Sequence, residues 1–286
     1  MSATSSATPL QPLTLGGVAA FATGGWFHFL VLQLAMVLVA AGVGFAFFVT
    51  ACFPVLDSAV AQLPEEAGFR DRKLVWSGEP AVVLGETGLI ALGVNAVEAK
   101  SPGTTSDLEV LFAPDGVQLT SWFGHWFVPY WAGWKVELTQ KTAGAWWAAW
   151  RRVVALVFGL VVGVGVVAGV GFSALFLGVP VWMLGRTLSR QLPFSGAWRM
   201  AVASFCPAGL IVLVAVLLYE TGRMGFLSLL VAVVFHFLAL GFYLFLSPWY
   251  LPKVVETPGG GNPFESEEAE GEGKVKRVRR NPFSGR

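Results

Sequence analysis

"RRVVALVFGLVVGVGVVAGVGFSALFLGVPVWMLGR", residues 151–186, holds thirty-three consecutive uncharged residues between Arg152 and Arg186. Whether this run crosses a bilayer once or twice decides where every other part of the chain lies. As a helix rising about 1.5 Å per residue it is a rod of about 50 Å, against a hydrocarbon core of about 30 Å. Two crossings would need roughly 36 residues plus a turn. No Asn, Asp or paired Pro/Gly turn marks its middle. One helix tilted by up to about 40° uses roughly 26 of the residues, and the rest lies at an interface or beyond a kink at Pro180. One crossing is the expectation.

Composition sets the class around it. Apolar residues make up 55% of the 286, charged residues 13%, and mean hydropathy is +0.65. A soluble domain carries about 25% charged residues, so this chain has too little charge to cover a water-facing surface. A net charge of +1 gives no electrostatic case for nucleic acid. Two cysteines, Cys52 and Cys206, are too few for a disulfide framework or a zinc site. Abundant Gly, Ala, Val and Trp suit a bacterial chain.

The expected fold is an α-helical polytopic membrane protein with four transmembrane helices and a small β-rich extracytoplasmic domain between helices 1 and 2. Residues 1–28 read as a flexible cytoplasmic lead-in, since 1–25 carry no charge and are rich in Ser, Thr, Gly and Pro. Helix 1 is placed at 29–53, helix 2 at 151–185, helix 3 at 200–219 and helix 4 at 225–247. "VTAC" (49–52) resembles a lipobox at Cys52, but no basic n-region precedes it. It is read as a helix end rich in small residues.

Residues 54–150 contain all but one of the acidic side chains that precede the C-terminal tail, and form the candidate water-exposed domain. "DSAVAQL" (57–63) reads as a short helix. Strand-like runs follow at 69–76, 81–86 and 89–94, with a loop at 99–106. "DLEVLFAPDGVQLTSW" (107–122) alternates apolar residues on both sides of a Pro-Asp-Gly turn, the pattern of a β-hairpin. "WKVELTQ" (134–140) is a candidate last strand, about six in all.

Arginines orient the map. Arg186, Arg190 and Arg199 bracket the 186–199 loop, which one crossing puts on the same side as the tail (253–286) with its acidic and basic blocks. Positive charge in short loops marks the cytoplasm, and a domain of about a hundred residues is exempt. Both termini are therefore expected inside, in a bacterial inner membrane, with 54–150 outside. The tail reads as disordered. Arg151 and Arg152, at the outer end of helix 2, would snorkel to headgroups.

Trp122, Trp126, Trp131, Trp134, Trp146, Trp147 and Trp150 crowd into one stretch with Phe123, Phe127 and Tyr130. The reading is an anchoring belt at the membrane surface; an aromatic ligand or partner surface is the alternative. Helix 2 carries two small-residue ridges, Ala155–Gly159–Gly163 and Gly165–Gly169–Ser173, that would let helices approach within the chain or between copies. His236, halfway along helix 4, is an ionisable group at membrane depth. Ser173 and Gln33 are its candidate partners. The expectation is a neutral hydrogen-bonded contact between helices, with proton or ion handling as the alternative. Pro207 should kink helix 3.

"ALFLGVPVWMLGRTLSRQLPFSGAWRMAVASFCPAGLIVLV" (174–214) and "RKLVWSGEPAVVLGETGLIAL" (72–92) resemble poorly characterised bacterial membrane proteins, some labelled maltodextrin-utilisation-like and related to the Yip family. The likeness implies a first helix, an outward β-rich insert and a later bundle with a basic loop. It implies no activity and transfers no functional residue.

No His-Glu-x-x-His, Gly-x-Ser-x-Gly, Walker or dinucleotide motif occurs in the chain. His28 and His125 stand apart from any carboxylate at ligand spacing. The chain is therefore read as a non-enzyme without cofactor or metal. Its lipid bilayer is one partner. A protein partner would meet it through the outer domain or the helix 2 small-residue face. Binding, sensing or complex assembly is the leading expectation, and a transport component with a polar site around His236 the alternative.

Overall fold

In the computed structural model, which describes residues 11–97 and 104–254, the decisive run lies within one uninterrupted helix. The elements are α1 (Leu15–Thr23), α2 (Trp26–Phe47), α3 (Phe53–Ala61), β1 (Ala67–Arg70), β2 (Lys73–Trp76), β3 (Ala81–Glu86), β4 (Ile90–Asn95), β5 (Leu108–Phe112), β6 (Gly116–Ser121), β7 (Gly124–Pro129), β8 (Lys135–Glu137), α4 (Gln140–Thr187), α5 (Phe194–Glu220) and α6 (Phe226–Leu246). A π-helical turn, Phe48–Cys52, joins α2 to α3, and a 3-10 turn, Ser247–Tyr250, ends α6. Four helical runs are long and apolar enough to cross a membrane: Trp26–Ala61, Gln140–Thr187, Phe194–Glu220 and Phe226–Tyr250. The C-terminal tail from 255 onward and residues 99–103 of the 99–106 loop lie outside the described residues.

Helix α4 has 48 residues, about 72 Å by rise, more than twice a bilayer's hydrocarbon thickness. It starts at a capping box: Thr139 caps the backbone N–H of Thr142, and the Thr142 hydroxyl accepts from the Thr139 N–H. The helix begins eleven residues before the expected boundary, so Trp146, Trp147 and Trp150 are helical. Neither Pro180 in α4 nor Pro207 in α5 interrupts its helix.

The first small-residue ridge packs within the chain. An added Cβ on Gly159 would stand 2.5 Å from the Ala41 carbonyl oxygen, and one on Gly163 2.5 Å from that of Val37. The helix pair α2–α4 is zipped there, backbone against backbone. The second ridge is open: Gly165 and Gly169 meet nothing within 4 Å.

The bundle has two distinct ends. One gathers α1, the α4–α5 loop and the segment after α6. Gln191 N–H donates to Pro252 O (3.2 Å), Val254 N–H to Ser189 O (2.8 Å) and the Tyr243 hydroxyl to Leu13 O (2.8 Å). Part of the stretch expected as a flexible lead-in is thus helical and packed. Thr14 caps α1, and Val18, Ala19, Phe21 and Ala22 are buried against α5 beside Ala197, Met200 and Ala201. Buried Arg199 stitches this end by donating to Ala22 O (2.7 Å) and Gly24 O (2.5 Å), the free carbonyls at the C-terminus of α1.

The other end carries the β unit. Five strands run in the order β3-β4-β5-β6-β7, and three in the order β2-β1-β8. All neighbours are antiparallel except β4 and β5. The run read as one strand at 69–76 is a hairpin, because Asp71 and Arg72 take φ of 52° and 67° and turn the chain in two residues. The hairpin read at 107–122 is β5–β6, paired from Leu108–Ser121 to Phe112–Val117. Strand β7 lies inside the aromatic stretch expected as a surface belt.

Candidate functional site

The β unit is fixed to the helices at three places. Ser58 and Gln62, on and just after α3, both donate to Leu84 O (2.7 and 2.9 Å), laying α3 across β3. Asp57 accepts from Trp147 Nε1 (2.6 Å) and pairs with Arg151 at 3.6 Å. Arg151 is thereby engaged within the protein. The third is Asp107, ahead of β5, which accepts from Trp122 Nε1 (2.8 Å) and from the Tyr219 hydroxyl at the end of α5. Trp122 stacks on Phe226, the first residue of α6, with centroids 6.0 Å apart, and Phe123 meets the same ring edge-on.

Beside the first two of these attachments lies a junction cavity of about 370 Å³. Phe48, Leu56, Trp146, Trp147 and Val154 line it from the helices; Phe69, Leu74, Trp76, Leu84, Leu92 and Phe112 line it from the strands. No polar side chain is in the lining. A groove of about 740 Å³ beside the end of β7 is different in kind, combining Asp71, Arg72, Lys73 and Asp115 with Phe127, Val128, Tyr130 and Trp131. All six residues of β7 are exposed, and β6 is its neighbour in the sheet, so β7 is an edge strand. His125 Nδ1 lies 3.0 Å from Thr120 Oγ1 across that pair.

A third cavity, of about 450 Å³, lies among α2, α4, α5 and α6. Ser173 and His236 both line it with Cys206; the other contributors, such as Met36, Val170, Phe205 and Leu213, are apolar or glycine. Gln33 is not part of the lining. The expected hydrogen-bonded contact is not made at His236 Nδ1, which is buried without a partner, as is Gln33 Oε1. His236 instead lies between Phe237 (5.2 Å) and Phe205 (6.1 Å). On α5 the ring nearest it is Phe205, while Ser173, the candidate partner on α4, lines the same cavity.

The seven tryptophans are spread over three parts of the chain. Trp122 and Trp126 lie on the β6–β7 hairpin, Trp131 and Trp134 between β7 and β8, and Trp146, Trp147 and Trp150 on the first turns of α4. Trp122 and Trp131 are the most exposed, at 72% and 74%, whereas Trp147 is buried at 7%. Trp147 is a structural residue, edge-on to Phe53 and bonded to Asp57. Sequence reasoning missed Asp57, Asp107 and Tyr219; their pairings span 90 and 112 residues, and no local pattern signals them.

Two side chains in the β unit have displaced pKa values. The Glu86 carboxyl is held below the usual range by hydrogen bonds from the Thr105 backbone N–H (2.8 Å), the Thr105 hydroxyl and the Ser106 hydroxyl. Burial, with Asp115 nearby, pushes the Tyr130 phenol up. Its hydroxyl donates to Ala113 O (2.9 Å). Both are structural uses. Among the described residues no group of three or more His, Cys, Asp or Glu is placed to hold a metal ion.

No family model, curated protein or solved structure matches this chain.

Proposed function

We propose that this chain is a non-catalytic protein of the bacterial inner membrane that binds a protein partner through its outer β unit. The observation that carries the reading is the exposed edge of β7. An edge strand offers a row of backbone donors and acceptors, and here Trp126, Phe127 and Val128 stand exposed beside it at about half their full area (49%, 50% and 50%). Exposed edges are usually blunted by charge or proline because they invite strand pairing. β7 has proline only at its last position and no Lys, Arg, Asp or Glu. An extended partner segment pairing with it would run on into the groove of Arg72, Lys73, Asp71 and Asp115.

Sidedness supports an outer placement. Arg186, Arg190, Arg199 and Lys253 gather at the α1 end, while Arg223 is the single basic residue of the short α5–α6 loop. Under the positive-inside rule α1, the α4–α5 loop and the tail are cytoplasmic and the β unit outside. The architectural likeness to Yip-related membrane proteins belongs to the same proposal. Transport is less well supported, because the cavity at His236 adds only Ser173 and Cys206 to an otherwise apolar or glycine lining and gives an ion little to bind.

The test is site-specific photocrosslinking in native membranes. A crosslinker at Val128 should capture a defined partner, and one at Val97, more exposed on the same unit (62% against 50%), should not. Val128→Lys with Trp126→Ser should abolish co-purification of that partner from a tagged full chain. Equal capture at both positions overturns the reading.

A further inference from the structure

We propose that the junction cavity is a binding site for one acyl chain of a membrane lipid, drawn out of the bilayer into the β unit. The inference rests on the membrane placement above and not on the β7 edge.

Chemistry selects the occupant. The lining side chains are without exception apolar or glycine. Water needs two to four polar partners in a cavity, which these side chains do not supply. A peptide would bury its own N–H and C=O groups against hydrocarbon, at a large cost. Of the strands in the lining, β1, β4 and β5 are paired on both edges and have no free backbone groups to offer it. A hydrocarbon chain has no such groups. Its size also fits: about 370 Å³ is at the lower end of the roughly 300–1,000 Å³ of small-molecule pockets.

Position supplies the route. Val154 belongs to the long uncharged run of α4, and Phe48 continues the apolar helix α2. From these two the lining passes through Leu56, Trp146 and Trp147 to Leu84, Leu92 and Phe112 on three strands of the larger sheet. The surface is therefore continuous from membrane-spanning helix to sheet interior. Arg151 and Arg152 sit one turn before Val154, at the height where a lipid headgroup would remain if its chain entered. Each methylene that exchanges one apolar surrounding for another gains little, so selectivity lies in chain length and shape.

The experiment uses the full chain in lipid nanodiscs doped with a phospholipid bearing a diazirine near the end of one acyl chain. After irradiation, adducts are mapped by peptide mass spectrometry. Adducts at Leu84, Leu92 or Phe112, in addition to lipid-facing Leu160 and Phe237, support the site. Adducts at Leu160 and Phe237 with none on the strands overturn it while leaving the membrane placement standing. Adducts at neither set overturn both. Two filling variants, Leu63→Trp and Ala143→Trp, guard against misfolding in one of them. At least one that keeps the wild-type circular dichroism should lose strand adducts about tenfold with helix adducts unchanged; undiminished strand adducts in a folded variant also overturn the site.

Discussion

Replacing Gly163 with alanine adds one carbon to a 286-residue chain, yet it should weaken the bundle more than most surface changes. The new Cβ would stand 2.5 Å from the Val37 carbonyl oxygen and 2.9 Å from the Ala41 Cβ. A carbon and a carbonyl oxygen normally approach to about 3.3–3.6 Å. The helices α2 and α4 must therefore part by roughly 1 Å at this crossing. Neither obstacle is the flexible end of a side chain. Overpacking of this kind costs about 1–3 kcal/mol. Alanine recovers at most about 1 kcal/mol of helix propensity over glycine. The net expectation is a loss of up to about 2 kcal/mol. Gly165→Ala is the internal control, since nothing lies within 4 Å of its added carbon. It should be neutral or slightly stabilising. Reversible unfolding of the purified protein in mixed micelles, followed by circular dichroism, gives both values. If Gly163→Ala and Gly165→Ala unfold at the same denaturant concentration, the account of α2–α4 as a backbone-to-backbone contact is wrong. Gly159→Ala should behave like Gly163→Ala, and the pair should be non-additive, because one parting of the helices relieves both clashes.

Arg199→Met removes the two donors that close the C-terminus of α1, and should raise amide exchange across residues 15–24 by an amount equivalent to about 1.5–3 kcal/mol. Protection in α5 beyond Ala208 should be unchanged. Asp107→Ala takes the acceptor from both Trp122 and Tyr219, so residues 105–108 and 218–222 should lose protection together while the Ser58–Leu84 contact persists. Independent loss at only one of the two segments would refute the link. For Glu86 the folded pKa is depressed, so its hold on Thr105 and Ser106 is complete above the unfolded value of about 4.3 and is lost as pH falls through the lower folded value. The Thr105 amide resonance should therefore move on acidification below that range, and Glu86→Gln should remove the movement.

The parts of this fold that were legible in sequence are those whose signal is local. The uninterrupted course of α4 follows from thirty-three uncharged residues without a turn, and the β5–β6 hairpin from alternation around Pro114, Asp115 and Gly116. What escaped has a distant cause. Helix α1 is short and composed of Leu, Gly, Val, Ala, Phe and Thr, which without context resembles a loop. Its carbonyl end is closed by an arginine 175 residues later. Strand β7 has no alternation of buried and exposed positions because both of its faces are exposed. The β1–β2 turn was invisible because Asp71 and Arg72 take the left-handed conformation where glycine or asparagine would have announced it. Of the residues singled out in advance, Ser173 and His236 do line one cavity, and Gln33 does not. Position along a helix is legible in sequence, but which side chains meet across helices depends on packing that no local pattern records.

The junction cavity was illegible for a further reason: every residue that lines it is an ordinary core residue when taken alone. Ala59, Leu84 and Val94 are buried and form the centre of the β unit's own small core. The core is small because three segments distant in sequence must enclose it: α3, the start of α4 and the two sheets. The space is partly open rather than sealed, and two attachments brace its walls: Ser58 and Gln62 hold Leu84, and Trp147 holds Asp57. A rim fixed by hydrogen bonds around a hydrocarbon interior is the arrangement that an inserted apolar chain stabilises. The same attachments that hold the β unit upright on its helices thus keep the cavity open.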